Sequence, residues 1–416
     1  MNAAVTGLSA LPSTAQPFAS VLAMSRFLNN EAVTLPALIE PAQEAVRQTL
    51  ATSTSTVALV VHDWCMFSFK SHTAKHDRYQ RSHDQDIGYE LGTALIVDAD
   101  SGRPVGPMEF RLRTADGMLS TRPGKKTACP PGHIDELIDV MRDSRRWNLG
   151  RDLIHIVDRE ADSVGHYRKW HAGRHKFVVR ANANRCVRWK GKEVKLPEIT
   201  AALRLEFRDV LDKSGCPLVV KTQHGTGRVQ VVETDVVLER PAKTQVGDKQ
   251  VSVPGPPLRL RLVLTRIVDA LGVVRAEWLL FTNVGKEFDA RTVAQWYYYR
   301  WKIETYHKLL KTSGMNAEEW QQESAEAFAK RLVVASMACL TVWQLRQDDS
   351  ADATKLKAVL VRLSGRQMKH RVADTAPALL AGLEKLLAIV NLLETHNLAD
   401  ILALARRVLP TLFRTG

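Results

Sequence analysis

The sequence predicts an α/β fold built on a mixed sheet, and three observations carry that reading. Short β-branched runs at residues 57–61, 153–157 and 176–180 alternate with amphipathic helical segments at 134–147 and 162–171. Two further strand candidates, 88–97 and 104–112, are joined by Asp98-Ala-Asp-Ser-Gly-Arg103, a turn-rich link. From about 183 to 282 the texture changes to Val-rich alternating segments separated by Pro, Gly and Lys, which reads as an antiparallel β block.

Taken in order, residues 1–54 form a short, near-neutral helical segment. Apolar residues at helical spacing run over 32–50, and Pro36 and Pro41 restrict where helix can start. Residues 55–347 are the body of the fold. They include the β block at about 183–282, with strands expected at 217–221, 228–238, 258–267 and 273–281. Helical signal returns at Asp289 and persists to Gln347, with a break at Ser313-Gly314. Residues 348–416 are helical and mixed in polarity. No Gly-x-Gly-x-x-Gly follows a strand and no Gly-x-x-x-x-Gly-Lys loop occurs, so these nucleotide-binding motifs give no support to cofactor chemistry.

Charge sets the partner class. Lys and Arg number 58 against 45 acids, a net of +13. An excess of that size favours a polyanion, nucleic acid before an anionic membrane surface. Five scattered cysteines, Cys65, Cys129, Cys186, Cys216 and Cys339, form no framework and fit a reducing compartment. The apolar stretch 332–345 is too short to span a bilayer, and the first basic residue is Arg26, so no secretory leader or membrane role is expected. The expected location is the cytosol.

Asp63 and Asp158 each follow a short buried strand. That edge of an open α/β sheet is where ligands bind, and carboxylates there hold hard divalent cations. A cap or turn explains a lone Asp equally well; two in the same context make the ligand reading competitive. Asp158 lies in Asp158-Arg-Glu-Ala-Asp162, so Glu160 and Asp162 compete with it, and Asp162 is placed to cap the helix that follows. The segment from Tyr297 to Lys311 carries more. On a continuous helix Tyr297, Arg300, Glu304 and Lys311 fall within an arc of about 60°, while Ile303, Tyr306 and Leu310 take the other side, to bury against a sheet. A Glu304–Lys308 pair on a solvated face accounts for those two residues but not for the alignment of the others. A metal-binding carboxylate beside phosphate-binding cations is what phosphoryl transfer on DNA requires.

Tyr297, Arg300, Glu304 and Lys311, at spacings Tyr-(2)-Arg-(3)-Glu-(6)-Lys, match the YREK signature, and the chain resembles bacterial insertion-sequence DDE transposases of the transposon-five cut-and-paste type. The segment around Asp158 resembles the one carrying their second catalytic Asp, Asp63 resembles the first, and the resemblance spans residues 22–347. It implies an RNase H-like domain with a β-rich insertion before the last catalytic helix, flanked by helical N- and C-terminal segments. It implies that Asp63, Asp158 and Glu304 hold two Mg²⁺ or Mn²⁺ ions, which drive end cleavage, hairpin formation and strand transfer. The partners implied are double-stranded DNA, at terminal inverted repeats and target, and a second copy of the chain in a synaptic complex. Trp278 matches the aromatic that stacks on a flipped base, although a core Trp on a strand explains it as well. Arg180, His307 and Lys308 match further DNA contacts, with Tyr297, Arg300 and Lys311 gripping phosphates near the flipped base.

Two regions depart from the pattern. The first fifty residues, where such enzymes carry a DNA-recognition region, hold only Arg26 and Arg47 as basic residues. That admits an alternative: an N-terminally truncated, DNA-binding-deficient inhibitor acting through mixed dimers. Residues 351–416 match nothing recognisable but carry ten Lys/Arg against five acids; in the family this region mediates pairing. His72, His76 and His83 lack the companions zinc needs, and their basic loop, 70–81, reads as a DNA- or solvent-facing segment.

Overall fold

A computed structural model describes residues 18–81, 83–124, 128–211, 215–222, 225–246, 249–368 and 372–408. The start of the expected N-terminal segment, residues 1–17, and the tail 409–416 lie outside the described residues. Helices α1 (Phe18–Leu28) and α2 (Leu35–Ala51) precede strand β1 (Val57–Ser68). Strands β2 (Tyr79–Gln80), β3 (Ile87–Asp98), β4 (Pro104–Thr114) and β5 (Gly117–Ser120) follow. Then come α3 (Leu137–Asp143), β6 (Asp152–Val157), α4 (Val164–Ala172) and β7 (Lys176–Arg180).

The β block opens with β8 (Cys186–Trp189), β9 (Lys192–Lys195) and a short α5 (Leu196–Ala202). It continues through β10 (Arg208–Asp209), β11 (Val219–Thr222), β12 (Gly225–Leu238), β13 (Ala242–Val246), β14 (Lys249–Val253), β15 (Leu258–Val268) and β16 (Val274–Thr282). Helices α6 (Ala290–Tyr298), α7 (Trp301–Lys308), α8 (Ala325–Gln347), α9 (Ala351–Ser364), α10 (Ala376–Thr395) and α11 (Leu398–Val408) complete the chain. The chain divides into two compact units: Gln43–Met66 with Tyr89–Thr305, and Met1–Ala42 with Phe67–Gly88 and Tyr306–Gly416.

The first of these units carries the large mixed sheet, in the order β5-β4-β3-β1-β6-β7-β16-β15-β12-β8-β9. Strands β1, β6 and β7 run parallel, and β16, β15 and β12 continue the sheet antiparallel. The parallel strands read as unbroken apolar runs because both of their faces are buried. Val46 and Leu50 of α2 and Val140 of α3 pack on Ala58, Val60, Ala94 and Ile96. Farther along the same face, where Val60, His155 and Phe177 are level across β1, β6 and β7, Tyr167 and Trp170 of α4 pack on Phe177, Val179 and Phe281.

The sheet core also buries imidazoles. His62 and His155 stack at 5.2 Å with Nε2···Nδ1 at 2.9 Å, and His175 lies edge-on to His155. Burial pushes the pKa of His155 down to about 3 and that of His175 to about 4, the latter helped by Arg145. Both folded values lie below the ordinary unfolded value near 6.5. Protons therefore bind the unfolded chain preferentially, and stability falls as pH drops from about 6.5 toward 4. Calorimetry across that window is expected to show a falling Tm, with a shallower slope in His155→Gln; an unchanged slope would count against these histidines.

In the other unit α8 is the centre. Met24 and Leu28 of α1 pack on its Ala327, and Lys330 donates to the Asn30 carbonyl at 3.1 Å. Ser324 and Asp77 accept from the first free N–H groups of the helix, at Ala327 and Ala325. The basic loop at 70–81 is largely exposed, with Lys70, His76 and Arg81 at the surface, but two of its cations turn inward. Lys75 is buried, donates to the Gln322 carbonyl and sits 4.8 Å over the Phe69 ring, and Arg78 donates to the Phe69 and Lys75 carbonyls. These cations hold the loop together. Helix α10 is the only stretch among the described residues long and apolar enough to cross a bilayer, a feature the reading of 332–345 as the main apolar stretch passed over. Its Ile389, Val390 and Leu393 are exposed, as are Leu398, Leu402 and Leu404 of α11.

Candidate carboxylate centre

Strand register brings the two aspartates together. β1 and β6 pair in parallel, with Val61 opposite Ile156. Two residues on along each strand are Asp63 and Asp158, so the acids sit level on neighbouring strands. β1 does not end at Asp63, as the sequence reading had it, but continues to Ser68. Asp63 is therefore a strand residue just past the last parallel pair, and its Oδ1 accepts from the Trp64 N–H at 2.9 Å. The ladder carries the edge further. Val157 is opposite Val179 and Arg180 is opposite Leu280, which sets Arg180 beside Asp158 and Trp278 two residues farther along β16.

Glu304 arrives from α7. Asp289 caps α6 by accepting from the Thr292 N–H at 2.8 Å. The helical path is not the single continuous helix expected from the spacing. It tightens at Tyr299 and Arg300, where N–H groups bond three residues back, and widens into a π turn over Leu309–Ser313. Tyr297, Arg300 and Glu304 nonetheless stay on one side. Arg300 is buried, and its guanidinium meets all three carboxylates: Asp63 at 3.3 Å, Asp158 at 3.9 Å and Glu304 at 2.5 Å. Tyr297, also buried, donates its hydroxyl to Asp158 at 2.8 Å. In this structure Tyr297 and Arg300 grip carboxylates rather than standing out to meet phosphate.

The environment separates the two aspartates. Burial lifts the Asp63 pKa to about 6, against the pull of Arg300 and the Trp64 N–H. Burial also works against the Asp158 charge. There Arg300, the Arg159 N–H, Tyr297 and Arg180 outweigh it and hold the carboxyl below its ordinary range. The competing acids are occupied elsewhere. Asp162 accepts from the Asn182 N–H, the Tyr167 hydroxyl and Arg185, and does not cap α4, whose N-cap is Ser163. Glu160 meets His133 at 3.0 Å.

The remaining expected residues belong to the other unit. Lys308 is exposed, and Lys311 pairs with Glu318 at 3.3 Å. His307 is buried, its pKa driven down to about 3 by burial and by Lys311, so DNA does not reach it without local opening. Tyr306 is buried as expected, but it packs on Trp343 of α8 rather than on a sheet. His133 and Trp64, which no sequence motif marks, stack their rings at 4.3 Å. Only the adjacency of Trp64 to Asp63 hinted at them.

Three carboxylates without sulfur or imidazole suit a hard divalent cation in kind. Arg300 stands among them, and no three His, Cys, Asp or Glu side chains of the described residues close on a common point. A cavity of about 780 Å³, lined by Arg145, Asp152, Arg174 and Lys176 among others, opens at the start of β6 and β7, the opposite edge from the acids. Acids level on neighbouring parallel strands and balanced by a cation are an arrangement that phosphoryl-transfer centres use. The family model described as the transposase DDE domain matches residues 126–341, just over half of the sequence, and the chain belongs to that family. The family's enzymes are metal-dependent and act on DNA. The match includes Asp158 and Glu304; Asp63 precedes it and is joined to it by the β1–β6 register.

Proposed function

We propose that the chain is a cut-and-paste DDE transposase of the YREK type, similar to the transposon-five enzyme, on an RNase H-like fold with the β block at 183–282 as its insertion. The observation that carries this reading is the convergence of Asp63, Asp158 and Glu304 on Arg300. Those three carboxylates would hold two Mg²⁺ or Mn²⁺ ions, which supply an activated oxygen nucleophile and charge stabilisation at phosphorus. The residues do the rest. Arg180 lies beside Asp158, where it favours an approaching phosphate over free solution. Tyr297 fixes the Asp158 carboxylate through its hydroxyl. Trp278, half-buried at the same edge, presents an indole on which an unstacked base of a hairpin end can rest. Lys308, exposed, and Lys311, which would exchange Glu318 for phosphate, are read as DNA contacts of their own unit. His307 is left out of the contact set because it is buried.

The body 55–347 is read as the catalytic domain and 348–416 as the pairing segment. The exposed apolar residues of α10 and α11 support that second role, since a homodimer would cover them. The test uses labelled DNA carrying the element's terminal inverted repeat. With Mg²⁺ or Mn²⁺ the protein is expected to nick the end, convert it to a hairpin and hold two ends in one complex. Trp278→Ala should reduce hairpin more than nick. Cleavage in the presence of a chelator, or none with either metal, would overturn the reading; nicking without hairpin would remove its cut-and-paste part, and single-end complexes alone the dimer.

A further inference from the structure

His133 lies outside every motif, yet it touches the segments that carry both aspartates. It opens a short 3₁₀ turn, His133–Glu136, ahead of α3. Its Nε2 meets Glu160 at 3.0 Å, two residues after Asp158. Its ring stacks on Trp64 at 4.3 Å and 21° between planes, and the Trp64 backbone N–H donates to Asp63 Oδ1 at 2.9 Å. Its Nδ1 meets Glu90 of β3 at 3.3 Å. Glu90 is itself buried and pinned by Arg113 at 3.6 Å, which also pairs with Glu136, so the anchor is fixed in the sheet.

We propose that His133 is a positioning residue: a clamp that ties Glu160 and Trp64 to Glu90 and so fixes the spacing between Asp63 and Asp158. The inference rests on the proposed carboxylate centre. Burial opposes a charge on the ring, but the Glu160 and Glu90 carboxylates outweigh it and raise its pKa to about 9, so the clamp is cationic near neutrality. An imidazolium between two carboxylates and against an indole face joins charge-assisted hydrogen bonds to a cation–π contact. Groups behind metal-binding carboxylates act on affinity through orientation, and their loss typically weakens it about 10–100-fold.

The test measures Mn²⁺ binding to the full chain by electron paramagnetic resonance of the free ion, without DNA and without turnover. His133→Gln is expected to weaken binding by about 10-fold or more. Glu160→Gln, at a side chain 59% exposed whose loss leaves the core intact, should do the same, and the double variant no worse than either. Lys176→Gln is the control. It breaks an ion pair with Asp152 at 3.0 Å, at the start of β6 and β7, away from the turn that carries His133, and it should leave affinity unchanged. Wild-type affinity in both His133→Gln and Glu160→Gln overturns the clamp. Equal weakening in Lys176→Gln overturns it too, because the effect is then general. Asp63→Asn separates the two levels: if it leaves Mn²⁺ binding intact, or if the wild-type chain binds none, the carboxylate centre fails along with the clamp.

Discussion

Asp63→Asn, Asp158→Asn and Glu304→Gln are each expected to lower metal-dependent nicking of end DNA by at least about 10³-fold, because each removes a ligand charge from a centre that acts as a unit. Stability separates this from misfolding, and for Asp63 the sign is unusual. Its folded pKa, about 6, lies above the unfolded value near 3.9 because burial penalises the charge. The folded state therefore binds the proton more tightly. The penalty is absent below about pH 4, grows as pH rises and is complete above about 6. At pH 7.5 Asp63→Asn removes it, and Tm is expected to rise by about 2–6 °C while cleavage disappears. Asp158 is held below its ordinary range, so Asp158→Asn removes stabilising contacts with Arg300 and Tyr297 and should lower Tm. Opposite thermal shifts with the same loss of activity identify a functional centre. Wild-type nicking by any one variant removes that residue from it.

What the sequence made legible follows from the range of the interactions. Apolar runs mark β1, β6 and β7 because a strand buried on both faces needs no partner to be recognised. The Tyr297–Glu304 spacing is local, so helical periodicity brought Tyr297, Arg300 and Glu304 together even though the path tightens at Tyr299 and Arg300. Strand pairing is not local. Nothing in the residues around Asp63 says that Val61 is opposite Ile156, and it is this register that sets Asp63 level with Asp158. Direction was also hidden. Cations read as facing DNA turn inward: Arg300 of the stripe meets carboxylates, Lys75 of the basic loop donates to a carbonyl, and His307, implied by the resemblance, is buried. The clamp at His133 was invisible for the same reason, its partners Trp64 and Glu90 lying more than forty positions away.

Arg300→Ala is expected to act in opposite directions on the metal-free protein and on its response to metal. The guanidinium neutralises three carboxylates that burial and proximity make costly to leave charged. Its removal should lower Tm in chelator by about 1–6 °C, the range for about 1–3 kcal/mol in a chain of this size after discounting for the partly open Asp158 and Glu304. A divalent cation and the guanidinium then compete for the same oxygens. Without Arg300 that competition is gone, so Mg²⁺ or Mn²⁺ should raise Tm by more in Arg300→Ala than in the wild type. Arg300 is also incompletely satisfied where it stands, since its buried Nε has no acceptor among the described residues. A side chain left with an unpaired donor has less to lose on moving. Arg300→Lys should fall between, because an ammonium restores the charge but not the fork that reaches Asp63 and Glu304 together. Thermal melts in chelator and across a metal titration decide it. A Tm in chelator equal to wild type, with an equal gain from metal, would mean that Arg300 is not the cation that holds these acids together.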